Sequence, residues 1–347
     1  MKKLRFAVAS TLLACILIRP ELSVAAAQRA MHIWYASVAP SLFPFLALMP
    51  LITDAQACRA YNAVFGRIMR PLFRLPGSAA PAMVISMLAG SPGGAIGICR
   101  IARESGMQKS EARCLALALG GVSPAYLIVG AGAVLFGSAQ FGIRLAAVQA
   151  MTQLILLFLL GRIKDKESGE VVSAEETSDR HPIHSAIETV LGVAGYMMVF
   201  AIAGSMISEI VGSKTGALIQ LAIDLPTGLA AACNLDKIWK LPAIFAAIGF
   251  TGLCINLQNV DALRTLGVTL REYIAARGIA AMLNCCLGLF MMRLKDTDVQ
   301  LSSGNMPDIY VIYLLLALVF SIFPLIILSI KYFLNKTKSE NNPLENT

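Results

Sequence analysis

Two apolar runs are broken where a membrane helix should be most regular, and these breaks limit what the chain can fold into. The first run carries Ala89-Gly90-Ser91-Pro92-Gly93-Gly94-Ala95 and the second Asp224-Leu225-Pro226-Thr227-Gly228. Proline removes a backbone donor and glycine loosens a helix, so N–H and C=O groups are freed at both places. In lipid an unsatisfied backbone group is costly, so such breaks persist only inside protein or against a water-filled cavity. The solvent is a membrane because 57% of the 347 residues are hydrophobic and only 14% are charged, against roughly 25% charge in soluble domains.

Taken in order, Met1 to Arg5 is basic and Phe6 to Ile18 apolar, as in a secretory signal, and Val24-Ala25-Ala26-Ala27 offers small residues for cleavage. Arg19 and Pro20 break that pattern, so residues 1–30 read as an uncleaved, signal-anchor-like first span. Met31 to Ile52 reads as the second span, irregular at Pro40, Pro44 and Pro50, with Trp34 and Tyr35 at the interface. Thr53 to Ser78 carries Arg59, Arg67, Arg70 and Arg74 and reads as a cytoplasmic stretch, partly an amphipathic surface helix. Ala79 to Glu104 holds the first break. A re-entrant hairpin there keeps Arg100, Arg103, Lys109 and Arg113 inside, as the positive-inside rule prefers. Cys114 to Phe136 is interrupted at Gly120-Gly121-Val122-Ser123-Pro124, and Phe141 to Leu160 returns to the inside. Asp165 to Arg180, polar and without apolar periodicity, reads as a flexible linker.

The second half repeats the plan. His184 to Val211 goes outward, Gly216 to Ala232 holds the second hairpin, and Leu241 to Val260 is broken at Gly249-Phe250-Thr251-Gly252. Tyr273 to Met292 goes out, and Asp308 to Leu334 returns to a basic tail with Lys331, Lys336 and Lys338. Met87 to Ala95 parallels Leu221 to Leu229, the later breaks follow at comparable distance, and Arg144 and Arg277 lie early in the following spans. Each half then makes an odd number of crossings, which sets the halves in opposite orientation, as in many secondary transporters. The expected fold is an all-α polytopic membrane protein with about eight transmembrane helices and two re-entrant broken-helix hairpins in an inverted repeat. Its parts are 1–30, a first repeat at 31–163, a linker at 164–183, a second repeat at 184–293, and a last span with a basic tail at 294–347. Both termini are cytoplasmic, in a multi-pass protein of the cell membrane.

The net charge of +8 follows from positive-inside placement. Basic residues scattered among spans, not gathered in one module, argue against nucleic-acid binding. Eight cysteines without Cys-x-x-Cys spacing read as small buried hydrophobes. Three dispersed histidines offer no metal cluster, and Gly90-Ser91-Pro92-Gly93-Gly94 lacks the Gly-Lys-Ser/Thr ending of a phosphate loop. With no nucleophile–base pair either, no catalytic residue, metal or cofactor is expected, and the chain does not read as an enzyme.

Seven stretches stand in order along the chain: Ile33-Trp34-Tyr35, Ala39-Pro40-Ser41-Leu42-Phe43-Pro44-Phe45, Arg70-Pro71-Leu72-Phe73, Gly90 to Gly94, Ser123-Pro124, Gly252-Leu253-Cys254 and the Arg277 region. In these the chain resembles the nucleoside-recognition, or Gate, domain family of membrane proteins, and among them the YlbJ-type sporulation integral membrane proteins. Their order and spacing, over roughly Leu12 to Leu294, matter more than any one of them. The resemblance implies a Gate-type division of both repeats, a role in sporulation and a carrier for a small, nucleoside-like solute. The alternative is a non-transporting protein needed for spore envelope (cortex) assembly, working through sporulation membrane partners or as a homo-oligomer.

Asp224 is the leading candidate residue. A carboxylate within a span faces a cavity or a partner. It reads as a proton or cation site, as a ligand for a substrate hydroxyl, or as the N-cap of a half-helix beginning near Pro226. Ser91, Ser123 and Thr227 offer hydroxyls at the breaks, with Gly93 and Gly94 offering backbone, either to a solute or as local caps. Asn256 and Asn259 share a helix face and line a path or bond a neighbouring helix. Arg144 and Arg277 hold an anion, lock each half to its hairpin, or snorkel to the interface.

Overall fold

In a computed structural model of the chain, residues 2–163, 170–172 and 182–293 are described. Apart from one isolated antiparallel bridge between Gln108 and Val171, their regular structure is helical. The expected span at Asp308 to Leu334, the basic tail and most of the 164–183 linker lie outside the described residues.

Helices α1 (Lys2–Ile18) and α2 (Pro20–Ile33) meet at Arg19. Pro20 does not stop the chain there, because at the first helical position its missing N–H is no loss. One π-helical turn, Trp34–Val38, carries α2 into α3 (Ala39–Ile52). The apolar run is therefore Pro20–Pro50, longer than the Met31 to Ile52 span expected from sequence. Helix passes through Val24 to Ala27 with Ala26 and Ala30 buried, and α2 packs on the later helix Pro182–Val211.

The Arg-rich stretch forms α4 (Ala55–Phe73). Asp54 caps it, accepting from Ala57 N–H at 2.6 Å. Cys58, Gly66, Met69 and Phe73 make one buried stripe, while Arg59, Arg67, Arg70 and Arg74 point out. The first hairpin follows as α5 (Ala79–Ala89) and α6 (Gly93–Glu104), then α7 (Lys109–Ala118). Leu119 to Ser123 is irregular, Tyr126–Leu135 is wound as a π-helix, and α8 (Ala139–Ile163) closes the half. Glu170 to Val172, expected as unstructured linker, instead pairs with the turn before α7. Lys109 N–H donates to Glu170 O at 2.9 Å, and Val172 N–H to Met107 O at 3.2 Å.

The second half runs through α9 (Pro182–Val211), a hairpin of α10 (Ser213–Ile223) and α11 (Leu225–Ala232), the pair α12 (Lys237–Phe250) and α13 (Gly252–Ala262), and α14 (Leu270–Arg293). In each half a helical hairpin is followed by an interrupted helix and then a long helix. Among the described residues, five segments are long and apolar enough to cross a membrane: Pro20–Pro50, α8, α9, Ile238–Ala262 and α14. The chain is a polytopic α-helical membrane protein.

Both hairpins close on a glycine at the same place in the two parallel stretches. A Cβ on Gly94 would sit 2.4 Å from Ser86 Oγ and 2.7 Å from Ser86 Cα, and one on Gly228 would sit 2.4 Å from Leu221 Cα. Only hydrogen lets the arms approach that closely. The buried apolar side chains form two clusters. One gathers α3 to α7 with α9, the other Tyr126–Leu135 and α10 to α12, and α8 and α14 contribute to both.

Candidate functional site

The breaks meet. Ser91 N–H in the first hairpin donates to Gly121 O in the irregular stretch after α7, at 2.8 Å. Gly90, at φ +67°, makes this possible: a Cβ there would lie 2.2 Å from Ser123 N. In the second half Gly252, at φ +78°, likewise faces the Leu225 backbone. A cavity with a solvent volume of about 40 Å³ lies where the hairpin tips converge, on the seam between the two apolar clusters. Its polar lining is Ser41, Ser91, Ser123, Tyr126, Asp224 and Gln258.

Asp224 is buried at 1% exposure. It is the N-cap of α11: Oδ2 accepts from Thr227 N–H at 3.2 Å and from the Thr227 hydroxyl at 2.7 Å. Oδ1 has no hydrogen-bond partner. The Cys254 thiol lies beside the carboxyl group. Among the described residues no basic side chain forms an ion pair with it. Capping and lining the cavity are therefore one arrangement, since the cap occupies one oxygen and leaves the other.

Of the other sequence candidates, Ser91 and Ser123 line the cavity. Asn259 stands one bond behind, donating to Ser91 Oγ at 2.8 Å and to the Tyr273 hydroxyl at 2.7 Å. Gly93 and Gly94 are not in the lining; Gly93 packs on Leu42 and Ala89, and Gly94 on Ser86. Asn256 is occupied at its own break, where Nδ2 donates to Phe250 O at 3.1 Å and Oδ1 accepts from the Thr251 hydroxyl at 2.9 Å.

Arg144 and Arg277 match in sequence but differ in setting. Arg277, 1% exposed, forks onto the carbonyls of Leu117, Ala118 and Gly120 and lies 5.6 Å from the Tyr273 ring centre. It caps the C-terminal end of α7, where the helix dipole favours a cation. Arg144 is half-buried and lies 3.9 Å from Met292 Sδ. The unequal breaks explain the difference. The gap after α7 runs from Leu119 to Ser123 and strands several carbonyls, whereas α12 and α13 are separated by Thr251 alone, capped by Asn256.

Gln149 of α8 was not singled out from sequence. Its amide accepts from Val122 N–H at 3.0 Å and donates to Val122 O at 2.7 Å, taking both backbone groups of one residue. With Thr152 and Gln153 it forms a polar face at i, i+3 and i+4, all three at most 4% exposed. That spacing in an apolar span was the available signal. Tyr126 and Ser41 carried none.

No family model matches the chain, and no solved structure matches it. In an alignment that covers 77% of the chain and 76% of its relative, the chain is 21% identical to the sporulation integral membrane protein YlbJ of Bacillus subtilis (strain 168). This integral membrane protein is thus similar, across most of its length, to a sporulation integral membrane protein.

Proposed function

We propose that the chain is a carrier for a small solute in the cell membrane of a sporulating bacterium, working between its two hairpins. The observation that carries the reading is the cavity where both hairpins meet, with the buried Asp224 carboxyl at its wall. The sporulation role rests on the similarity to YlbJ. Residues 31–163 and 184–293 act as Gate-type repeats in opposite orientation, with both termini cytoplasmic. Broken helices that meet near the midplane are how such carriers expose one site to either side. A water needs roughly 10–15 Å³ of such volume, so about 40 Å³ admits a few waters. A nucleoside-like solute enters only when the hairpins separate.

In a sporulating strain lacking this protein, the wild-type chain should restore heat-resistant spores. Asp224→Asn, accumulating to the same level, should not. Full restoration by Asp224→Asn refutes the site. For the topology, cysteines placed at Gln140 and Ser213 should react with an impermeant reagent from outside, and one at Arg264 should not.

A second reading, a non-transporting protein that holds envelope-assembly partners, is favoured by how fully Arg277, Gln149 and Asn256 satisfy the breaks internally. Ala89→Leu, which fills the cavity, separates the two. A carrier loses function, while a scaffold retains it and co-purifies with its partner.

A further inference from the structure

We infer that the cavity is a sodium-ion site, with Asp224 Oδ1 as its anionic ligand and oxygens of Ser91, Ser123 and Gln258 completing it. This deepens the carrier reading and rests on it for its purpose, but binding is measured without transport.

The argument begins with where the donors go. Thr227 N–H and the Thr227 hydroxyl both serve Asp224 Oδ2, and with the Cys254 thiol beside the carboxyl group Oδ1 is the buried oxygen without a hydrogen-bond partner on a residue that lines the cavity. Gln258 turns its NH₂ to Cys254 Sγ at 3.3 Å, which leaves its carbonyl oxygen as the other end of the amide. Ser91 Oγ already receives Asn259 Nδ2, and Ser123 Oγ receives Tyr126 N–H at 3.2 Å, and each oxygen keeps acceptor capacity. The polar wall is thus one carboxylate among hydroxyl and amide oxygens, with no lysine or arginine in the lining. Such a wall takes a hard cation and repels an anion.

Charge and size narrow the choice. A single carboxylate balances one positive charge, and in a low-dielectric interior the excess charge of a divalent ion is penalised heavily. The groups near the carboxyl group, Tyr126, Thr227 and Cys254, bring no second negative side chain. About 40 Å³ holds a small ion with a water or two and excludes an organic cation. Unwound carbonyls and half-helix C-terminal ends are where coupling ions are held in broken-helix carriers, and Ala89 and Asp224 bring the C-terminal ends of α5 and α10 to this cavity.

The test is thermal melting of the purified full-length chain in detergent, with sodium, lithium, potassium or choline chloride at constant ionic strength. Sodium should raise the melting temperature saturably by several degrees over choline, with lithium next and potassium weakest. Asp224→Asn keeps an N-cap acceptor for Thr227 and should fold with no sodium-dependent shift. Ser91→Ala, which leaves Asn259 its bond to Tyr273, should bind sodium several-fold more weakly. Equal melting in sodium and choline for the wild type overturns the inference, even where melting changes with pH, since the carboxyl group would then be a proton site. An undiminished sodium shift in Asp224→Asn also overturns it. The two readings fail separately. Sodium binding with normal spore formation by Asp224→Asn removes the carrier role and keeps the ion site, and a spore defect without a sodium shift does the reverse.

Discussion

Removing the Arg277 guanidinium should cost more stability than any other single truncation in the described fold. The side chain is 1% exposed and holds the carbonyls of Leu117, Ala118 and Gly120, which the α7 helix cannot pair because the chain leaves helical geometry at Leu119. In Arg277→Met these three acceptors lose their donor in an interior closed to water. An orphaned buried group costs about 1–3 kcal/mol, so three give an upper range near ~9 kcal/mol. Methionine recovers part of that, because a charge no longer has to be desolvated, and truncating one side of a buried charged contact typically nets about 3–5 kcal/mol. Against a total stability of about 5–15 kcal/mol this is a large share, worth on the order of 10 °C in melting temperature. Arg277→Lys keeps the charge but not the planar fork, and should fall between the two. The assay is thermal melting of the purified chain in one detergent, with expression matched. The expected order is wild type, Arg277→Lys, Arg277→Met. If Arg277→Met melts within about a degree of wild type, under ~0.5 kcal/mol on the same scale, the fork does not hold the break.

Three further outcomes follow from the packing. Gly228→Ala should destabilise by about 1–3 kcal/mol or more, and more than Gly94→Ala, because all three nearest atoms to its Cβ are Gln220 and Leu221 backbone, whereas at Gly94 only Ser86 Cα is backbone and the other two belong to the Ser86 side chain; equal melting temperatures would refute the comparison. Gln149→Leu orphans both backbone groups of Val122 and should cost about 2–4 kcal/mol. Combined with Arg277→Met it should cost less than the sum, since both side chains hold the stretch between Leu119 and Pro124; strict additivity in a double-mutant cycle would show that they act apart.

Much of this architecture was legible because lipid punishes loose backbone. Pro92, Pro124 and Pro226, each with neighbouring glycine, announced breaks that had to be buried, and breaks that must be buried tend to meet. Asp224 followed by Pro226 announced a cap. What stayed hidden was which side chain satisfies which break, because that is set by partners far along the chain. Arg277 pairs with carbonyls 157 to 160 residues away, and Gln149 with a residue 27 away. Sequence parallel alone made Arg144 and Arg277 equivalent, yet a one-residue gap at Thr251 needs no outside cation and the longer gap after α7 does. The run from Pro20 was misjudged for a related reason: proline breaks a helix in its interior but starts one well at its first position.

The reach of Arg277 also has a consequence for biosynthesis. Its residue lies 157 positions after Gly120. At about 5–20 residues per second, roughly 10–30 s separate the making of these carbonyls from the making of the side chain that pairs them. Through that interval the nascent first half holds a helix end it cannot satisfy, and it must keep that end beside water or other protein instead of lipid. Membrane insertion of this chain is therefore not finished segment by segment; the first half settles only after α14 has arrived.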